Sequence, residues 1–227
     1  MANKPADFRE ADRAQVSLLA PFEKRALLWL AHHMPPAINS DHLTLLGFVS
    51  LLAAGLSYWY ARYQPLALIA VVFFLITNWF GDSLDGTLAR VRNRQRPRYG
   101  FYVDHVVDMF GTFFLIGGLG LSGYMSPGIA LAAIIAYFML SIEVYLATYT
   151  IGTFHLSFWK FSPTELRVLL AIGNLVLLAG VTHGHLGSAS YLLFDIGGVL
   201  GILGMAVMLI VAVVKHTVHL YRAERLS

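Results

Sequence analysis

GDSLDGTLARVRNRQRPRYGFYVDHVVDMF, residues 81–110, places four aspartates, Asp82, Asp85, Asp104 and Asp108, either side of an arginine-rich turn. The flanks are very different: residues 63–81 and 109–142 contain no Asp, Glu, Lys or Arg. About 20 apolar residues in a helix cover the ~30 Å hydrocarbon core of a bilayer. The segment therefore reads as the end of one transmembrane helix, a polar turn and the start of the next. Uncharged runs recur over 43–61, 168–194 and 196–214.

Composition agrees. The chain has 227 residues, of which 57% are hydrophobic and 13% charged, about half the charged share of a soluble domain. Mean hydropathy is +0.65. An ordinary soluble domain is excluded, and the chain reads as an all-α integral membrane protein. Cysteine is absent, which excludes a disulfide framework and thiolate metal centres. The first 30 residues are mixed and charged, without an apolar core followed by a small-residue cleavage site, so a removed signal peptide is not expected.

Turn chemistry divides the chain. Gln64-Pro65, the arginine segment with Pro97, Ser126-Pro127, Ser162-Pro163 and THGHLGSAS at 182–190 separate six expected spans at 42–62, 65–90, 100–123, 126–152, 162–184 and 191–214. Residues 1–41 form an N-terminal segment, 42–214 the membrane domain and 215–227 a tail. Within the first segment, residues 21–34 begin with a proline, and Phe22, Ala26, Trp29, Leu30 and His33 share a helical face. An amphipathic helix follows, lying on the membrane surface or packed against the bundle.

An even number of spans puts both termini on one side. That side would carry Lys4, Arg9, Arg13, Lys24, Arg25, the arginine loop, Lys160, Lys215, Arg222 and Arg225, and the other only Arg62. Positive charge collects on the cytoplasmic side of membrane proteins. The aspartates are therefore expected at the cytoplasmic ends of the second and third spans, in the bacterial cytoplasmic membrane.

Helical residues three, four and seven apart share a face. Asp82, Asp85 and Ala89 line one side of the second span, and Gly100, Asp104 and Asp108 one side of the third. Carboxylates this close repel one another and are costly at membrane depth, so a cation must lie among them. Oxygen-only ligands suit Mg²⁺, Mn²⁺ or Ca²⁺, and a pair of such ions can clamp a diphosphate. The plainer alternative is pairing with Arg90, Arg92, Arg94, Arg96 and Arg98 at the headgroup level.

DSLDGTLAR followed by GFYVDHVVD resembles the DxxDGxxAR and GxxxDxxxD signature of the CDP-alcohol phosphotransferases, with Asp82, Asp85, Gly86, Ala89, Arg90, Gly100, Asp104 and Asp108 at its fixed positions. The spacer from Arg90 to Gly100 holds nine residues where eight is the commonest form. The resemblance implies two divalent cations, Mg²⁺ or Mn²⁺, on Asp82, Asp85, Asp104 and Asp108. It implies room for cytidine at Gly86 and Ala89, a phosphate contact from Arg90, a close helix approach at Gly100, and Asp108 as base toward the acceptor hydroxyl. A CDP-linked alcohol would be the donor and a lipid or polar alcohol the acceptor, with release of CMP. The family also implies a homodimer among membrane lipids. No nucleic-acid partner is expected.

His105 directly after Asp104 resembles the choline and ethanolamine branch, whose acceptor is diacylglycerol; it is a second candidate base. The alternative is a CDP-diacylglycerol donor with a polar alcohol acceptor. Glu143, deep in the fourth span, is a candidate for a cationic headgroup or for pairing with Arg167. Glu165 and Arg167 are candidates for the same cleft. Asp41-His42 departs from the family's Pro-Asn, which leaves Thr44 a weak binding role, and His183 and His185 are expected to be exposed. A membrane prenyltransferase would need two distant aspartate-rich motifs, and a lipid phosphatase would need Ser-Gly-His and Arg-His-Asp constellations. The non-enzyme rival is a divalent-cation transporter, which would place its carboxylates near the midplane.

Overall fold

The computed structural model describes residues 20–151, 163–186 and 188–224. Lys4, Arg9, Arg13, Lys160, Arg225 and the Phe22 side chain lie outside the described residues. The helices are α1 (Ala20–His33), α2 (Ser40–Ala61), α3 (Ala67–Val91), α4 (Pro97–Leu121), α5 (Pro127–Ile151), α6 (Pro163–Leu178) and α7 (Leu193–Ala223). Two short strands, β1 (His183–Leu186) and β2 (Ala189–Leu192), precede α7.

Among the described residues five helices, α2, α3, α4, α5 and α7, are long and apolar enough to cross a membrane. The chain is a multi-pass membrane protein. The span expected over 162–184 is shorter than anticipated: α6 has 16 residues, which is about 24 Å at 1.5 Å per residue. Gly180 ends it by adopting φ +91. Gly180 N–H then donates to Leu177 O at 2.9 Å and Val181 N–H to Val176 O at 3.2 Å, which satisfies the last carbonyls of the helix. What read as a glycine-rich loop is an antiparallel hairpin with His183 opposite Leu192; His183 and His185 are exposed. α7 runs to Ala223, past the expected limit of 214, so the tail begins as helix.

α2 lies between α3 and α4, and two glycine contacts let the backbones touch. A Cβ on Gly81 would come 2.7 Å from Gly47 N, and one on Gly118 would strike the Gly55 carbonyl. Close approach of this kind drives helix association in lipid, where burying apolar surface brings no gain. Around these contacts Tyr58, Leu68, Leu75 and Leu119 are fully buried. Asn174 Nδ2 donates to Tyr58 Oη at 2.8 Å and so joins α6 to α2. At the far end Asp195 of α7 accepts from Ser126 N at 2.7 Å and Ser126 Oγ at 2.6 Å. α7 otherwise exposes Leu200, Leu203, Val207 and Ile210, a face that suits lipid.

α1 packs on the bundle through a face other than its expected apolar one. Leu27 and Ala31 are buried with Leu43, Leu84 and Leu88, whereas Ala26, Trp29 and His33 are exposed. Glu23 lies against the bundle with Leu27 and Ala31. Its Oε1 accepts from Trp79 Nε1 at 2.8 Å, Thr164 Oγ1 at 2.9 Å and Ser83 Oγ at 3.3 Å. Glu23 thus ties the helix to α3 and α6.

Candidate functional site

The arginine turn is held mostly by its own surroundings. Asn93 takes a left-handed φ of 52; Asn93 N–H donates to Arg90 O at 3.1 Å and Arg94 N–H to Ala89 O at 2.9 Å, closing α3 as a glycine-type cap does. Arg92 donates to Met34 O at 2.8 Å, to Pro35 O at 2.9 Å and to Ile38 O. Arg96 pairs with Asp41 and lies 4.1 Å over the Tyr99 ring. The contact with Asp41 pushes the Arg96 pKa up. Pro97 opens α4, where a missing N–H costs nothing.

The motif carboxylates converge from α3 and α4. Asp85 is buried and fixed from α2: Thr44 Oγ1 donates to its Oδ2 at 2.6 Å, and Ser40 Oγ to its backbone carbonyl at 2.9 Å. Gly86 N–H donates to the other carboxylate oxygen at 2.5 Å. Asp82 accepts from Arg167 of α6 at 2.5 Å. Asp82, Asp85 and Asp108 border one small cavity of ≈ 10 Å³ together with Thr44, Asn78 and Val107. Asp104 lies within electrostatic reach of Asp85 and Asp108. All four carboxylates therefore share one region at the end of the α3–α4 hairpin.

A larger cleft of ≈ 370 Å³ is lined by Asn39, Ser40, Asp41, Leu88, Ala89, Arg92, Arg94, Gln95 and Arg96. That volume falls in the range of small-ligand pockets. Gly86 is open on its outer side, since a Cβ there would meet only the Arg90 guanidinium, at 3.8 Å. Arg90 itself donates to Thr87 Oγ1 at 3.2 Å. Gly100 departs from expectation. A Cβ there would meet nothing within 4 Å, so it serves no close helix approach; Gly47, Gly55, Gly81 and Gly118 do that.

His105 turns toward α5. Its ring stacks on Phe101 at 4.1 Å and stands edge-on to Tyr145 at 5.1 Å. Its Nδ1 lies 2.5 Å from Phe101 O. A carbonyl only accepts, so Nδ1 carries a proton in this contact. Glu143 is bound to His216 of α7 at 2.6 Å, not to Arg167. The reason is Arg167's position on α6, which sets its guanidinium against Asp82.

Among the described residues no three acidic or imidazole side chains are already gathered as a finished metal cage. The donor set nevertheless fits a hard cation. The ligands available are all carboxylate oxygens, and the positive charge beside Asp82 is supplied by an arginine from another helix.

Sequence reasoning left three contributors underweighted: Thr44, Asn78 and the Arg167 contact to Asp82. The available signal was a polar residue inside an apolar run within a turn of the motif's depth.

A family model described as CDP-alcohol phosphatidyltransferase matches residues 38–215. The chain belongs to the CDP-alcohol phosphatidyltransferase family. No curated protein shows a significant match to it. As a CDP-alcohol phosphatidyltransferase the protein is a membrane transferase of phosphate-containing groups in phospholipid synthesis, using a CDP-alcohol donor and an alcohol acceptor. The matched region begins just before α2 and ends within α7, so it contains the hairpin, Thr44, Asn78 and Arg167.

Proposed function

We propose that this phosphatidyltransferase moves a substituted phosphate from CDP-ethanolamine or CDP-choline to a diacylglycerol-like hydroxyl and releases CMP. The observation that carries the site is the shared cavity of Asp82, Asp85 and Asp108, drawn from two helices and backed by Thr44. Asp82, Asp85, Asp104 and Asp108 would hold two divalent cations, Mg²⁺ or Mn²⁺. When bound, such ions offset the charge of a diphosphate.

The chain's own groups do the rest. The Ala89 cleft and open Gly86 receive the nucleotide, and Arg90 binds phosphate. Asp108 takes the proton from the acceptor hydroxyl as its oxygen bonds to the donor's distal phosphorus and the bond from that phosphorus to CMP breaks. His105 is the alternative proton acceptor; its place beside Asp104 also supports the choline and ethanolamine assignment. Glu143, close to the same end of α5, is a candidate contact for a cationic headgroup.

The proposed setting is the cytoplasmic face of a bacterial membrane. α6 supplies a sixth crossing, completed on the far side by the hairpin, and the exposed Trp29 stripe of α1 meets the interface. Two copies would pair as a homodimer.

The test is CMP release by purified protein with Mg²⁺ or Mn²⁺, offered CDP-ethanolamine, CDP-choline and CDP-diacylglycerol in parallel. Turnover with CDP-diacylglycerol alone would replace the branch assignment by the polar-alcohol reaction. No CMP from any donor, together with cation flux in liposomes, would replace the enzyme by a transporter. Asp108→Asn should abolish release, and His105→Ala should lower kcat by about 10²–10⁴ only if the imidazole is the base.

A further inference from the structure

Asn78 lies one helical turn before Asp82 on α3 and is 2% exposed. Its Nδ2 donates to Gly47 O of α2 at 3.0 Å. That carbonyl can only accept, so the amide orientation is forced and Oδ1 must face away from it. Oδ1 is buried and, among the described residues, has no hydrogen-bond partner. A buried amide oxygen without a partner bears its full desolvation penalty. Asn78 also borders the ≈ 10 Å³ cavity that Thr44, Asp82, Asp85 and Asp108 line, which is about the room one water molecule needs.

We infer that Asn78 is a positioning residue: its Oδ1 anchors a buried water in this cavity, and the water's second hydrogen is donated to a motif carboxylate. The arrangement satisfies the orphaned Asn78 Oδ1 and ties it to a motif carboxylate. It also gives the carboxylates a fixed neighbour on the membrane side. Thr44 restrains Asp85 from α2, Arg167 restrains Asp82 from α6, and the Asn78 water closes the floor. Gly47 and Gly81 make it possible, because their backbone contact holds α2 close enough for Nδ2 to reach Gly47 O.

The inference rests on the proposal that these carboxylates bind divalent cations only for its functional consequence, since the water itself belongs to the metal-free protein. Groups that orient metal ligands without touching the metal are worth about 10–100-fold in affinity.

Two measurements test it. A structure of the metal-free protein at a resolution that shows ordered water should place one molecule within hydrogen-bond distance of Asn78 Oδ1 and of Asp82, Asp85 or Asp108; a dry cavity overturns the inference. Mn²⁺ binding without substrate, followed by electron paramagnetic resonance, should weaken about 10–100-fold in Asn78→Leu. Asn78→Ser, which keeps an oxygen and leaves space for a second water, should recover most of the affinity. Equal Mn²⁺ binding by wild type and Asn78→Leu, or equal loss in both variants, overturns the positioning role. Failure of the wild type to bind Mn²⁺ would instead sink the cation reading, and the crystallographic water would still decide this one.

Discussion

Arg167 of α6 donates to Asp82 of α3 at 2.5 Å, across a part of the bundle where both side chains are mostly covered. The guanidinium compensates a carboxylate that membrane depth would otherwise penalise. It also occupies one of the two Asp82 oxygens that could meet a cation. Arg167→Gln should therefore destabilise the metal-free protein by about 1–3 kcal/mol and should make Mn²⁺ a stronger stabiliser than it is of the wild type. Thermal unfolding in detergent, with EDTA and then with Mn²⁺, measures both; an unchanged Mn²⁺ response would show that the pair does not compete with the ion.

Thr44 holds Asp85 at 2.6 Å. Thr44→Val keeps the shape and removes the donor, so Mn²⁺-dependent CMP release should fall by about 10–100-fold, with the loss appearing in the Mn²⁺ concentration needed. Thr44→Ser should retain most of the activity. Equal activity in all three proteins would assign Thr44 to packing alone.

Neighbouring glycines in α4 should respond oppositely. A Cβ on Gly118 would strike the Gly55 carbonyl, whereas one on Gly117 would meet nothing within 4 Å. Gly118→Ala should cost about 1–3 kcal/mol by forcing α2 and α4 apart. Gly117→Ala should be neutral or stabilising by up to about 1 kcal/mol. Thermal unfolding of the two variants side by side distinguishes a packing contact from general helix propensity.

Glu143 and His216 join α5 to α7 at 2.6 Å, with side chains 11% and 22% exposed. Glu143→Gln and His216→Ala should each destabilise the protein, and the double variant should show a coupling of about 0.5–3 kcal/mol. Additive losses would mean that the two act separately. A rise in KM for a choline or ethanolamine donor in Glu143→Gln alone would add the headgroup contact to this brace.

The order and placement of most helices were legible because the signals are local. The α3–α4 hairpin is bounded by uncharged runs, an arginine turn and Pro97, and each of these acts within a few residues of itself. The six-span expectation overran at α6. The left-handed Gly180 and its two hydrogen bonds end the helix early, while hydropathy continues smoothly past it. Four-residue strands such as β1 and β2 carry too short a pattern to announce a hairpin.

The aspartates' shared faces were likewise readable, because helical spacing alone groups Asp82 with Asp85 and Asp104 with Asp108. Their partners were not. Thr44, 41 residues before Asp85, and Arg167, 85 residues after Asp82, reach these carboxylates only through helix packing, whereas Asn78 shares a face of α3 with Asp82 and gains its role from the α2 carbonyl it meets.

By itself, the sequence determined a membrane-embedded helical chain with a carboxylate-bearing hairpin, since hydropathy, turn residues and helical period act along the chain. Tertiary structure alone decided which face of α1 is buried, which cation answers Asp82, and what Glu143 binds. Those choices depend on long polar side chains reaching the nearest complementary group across a helix interface, and that neighbour is set by how the helices pack rather than by distance in sequence.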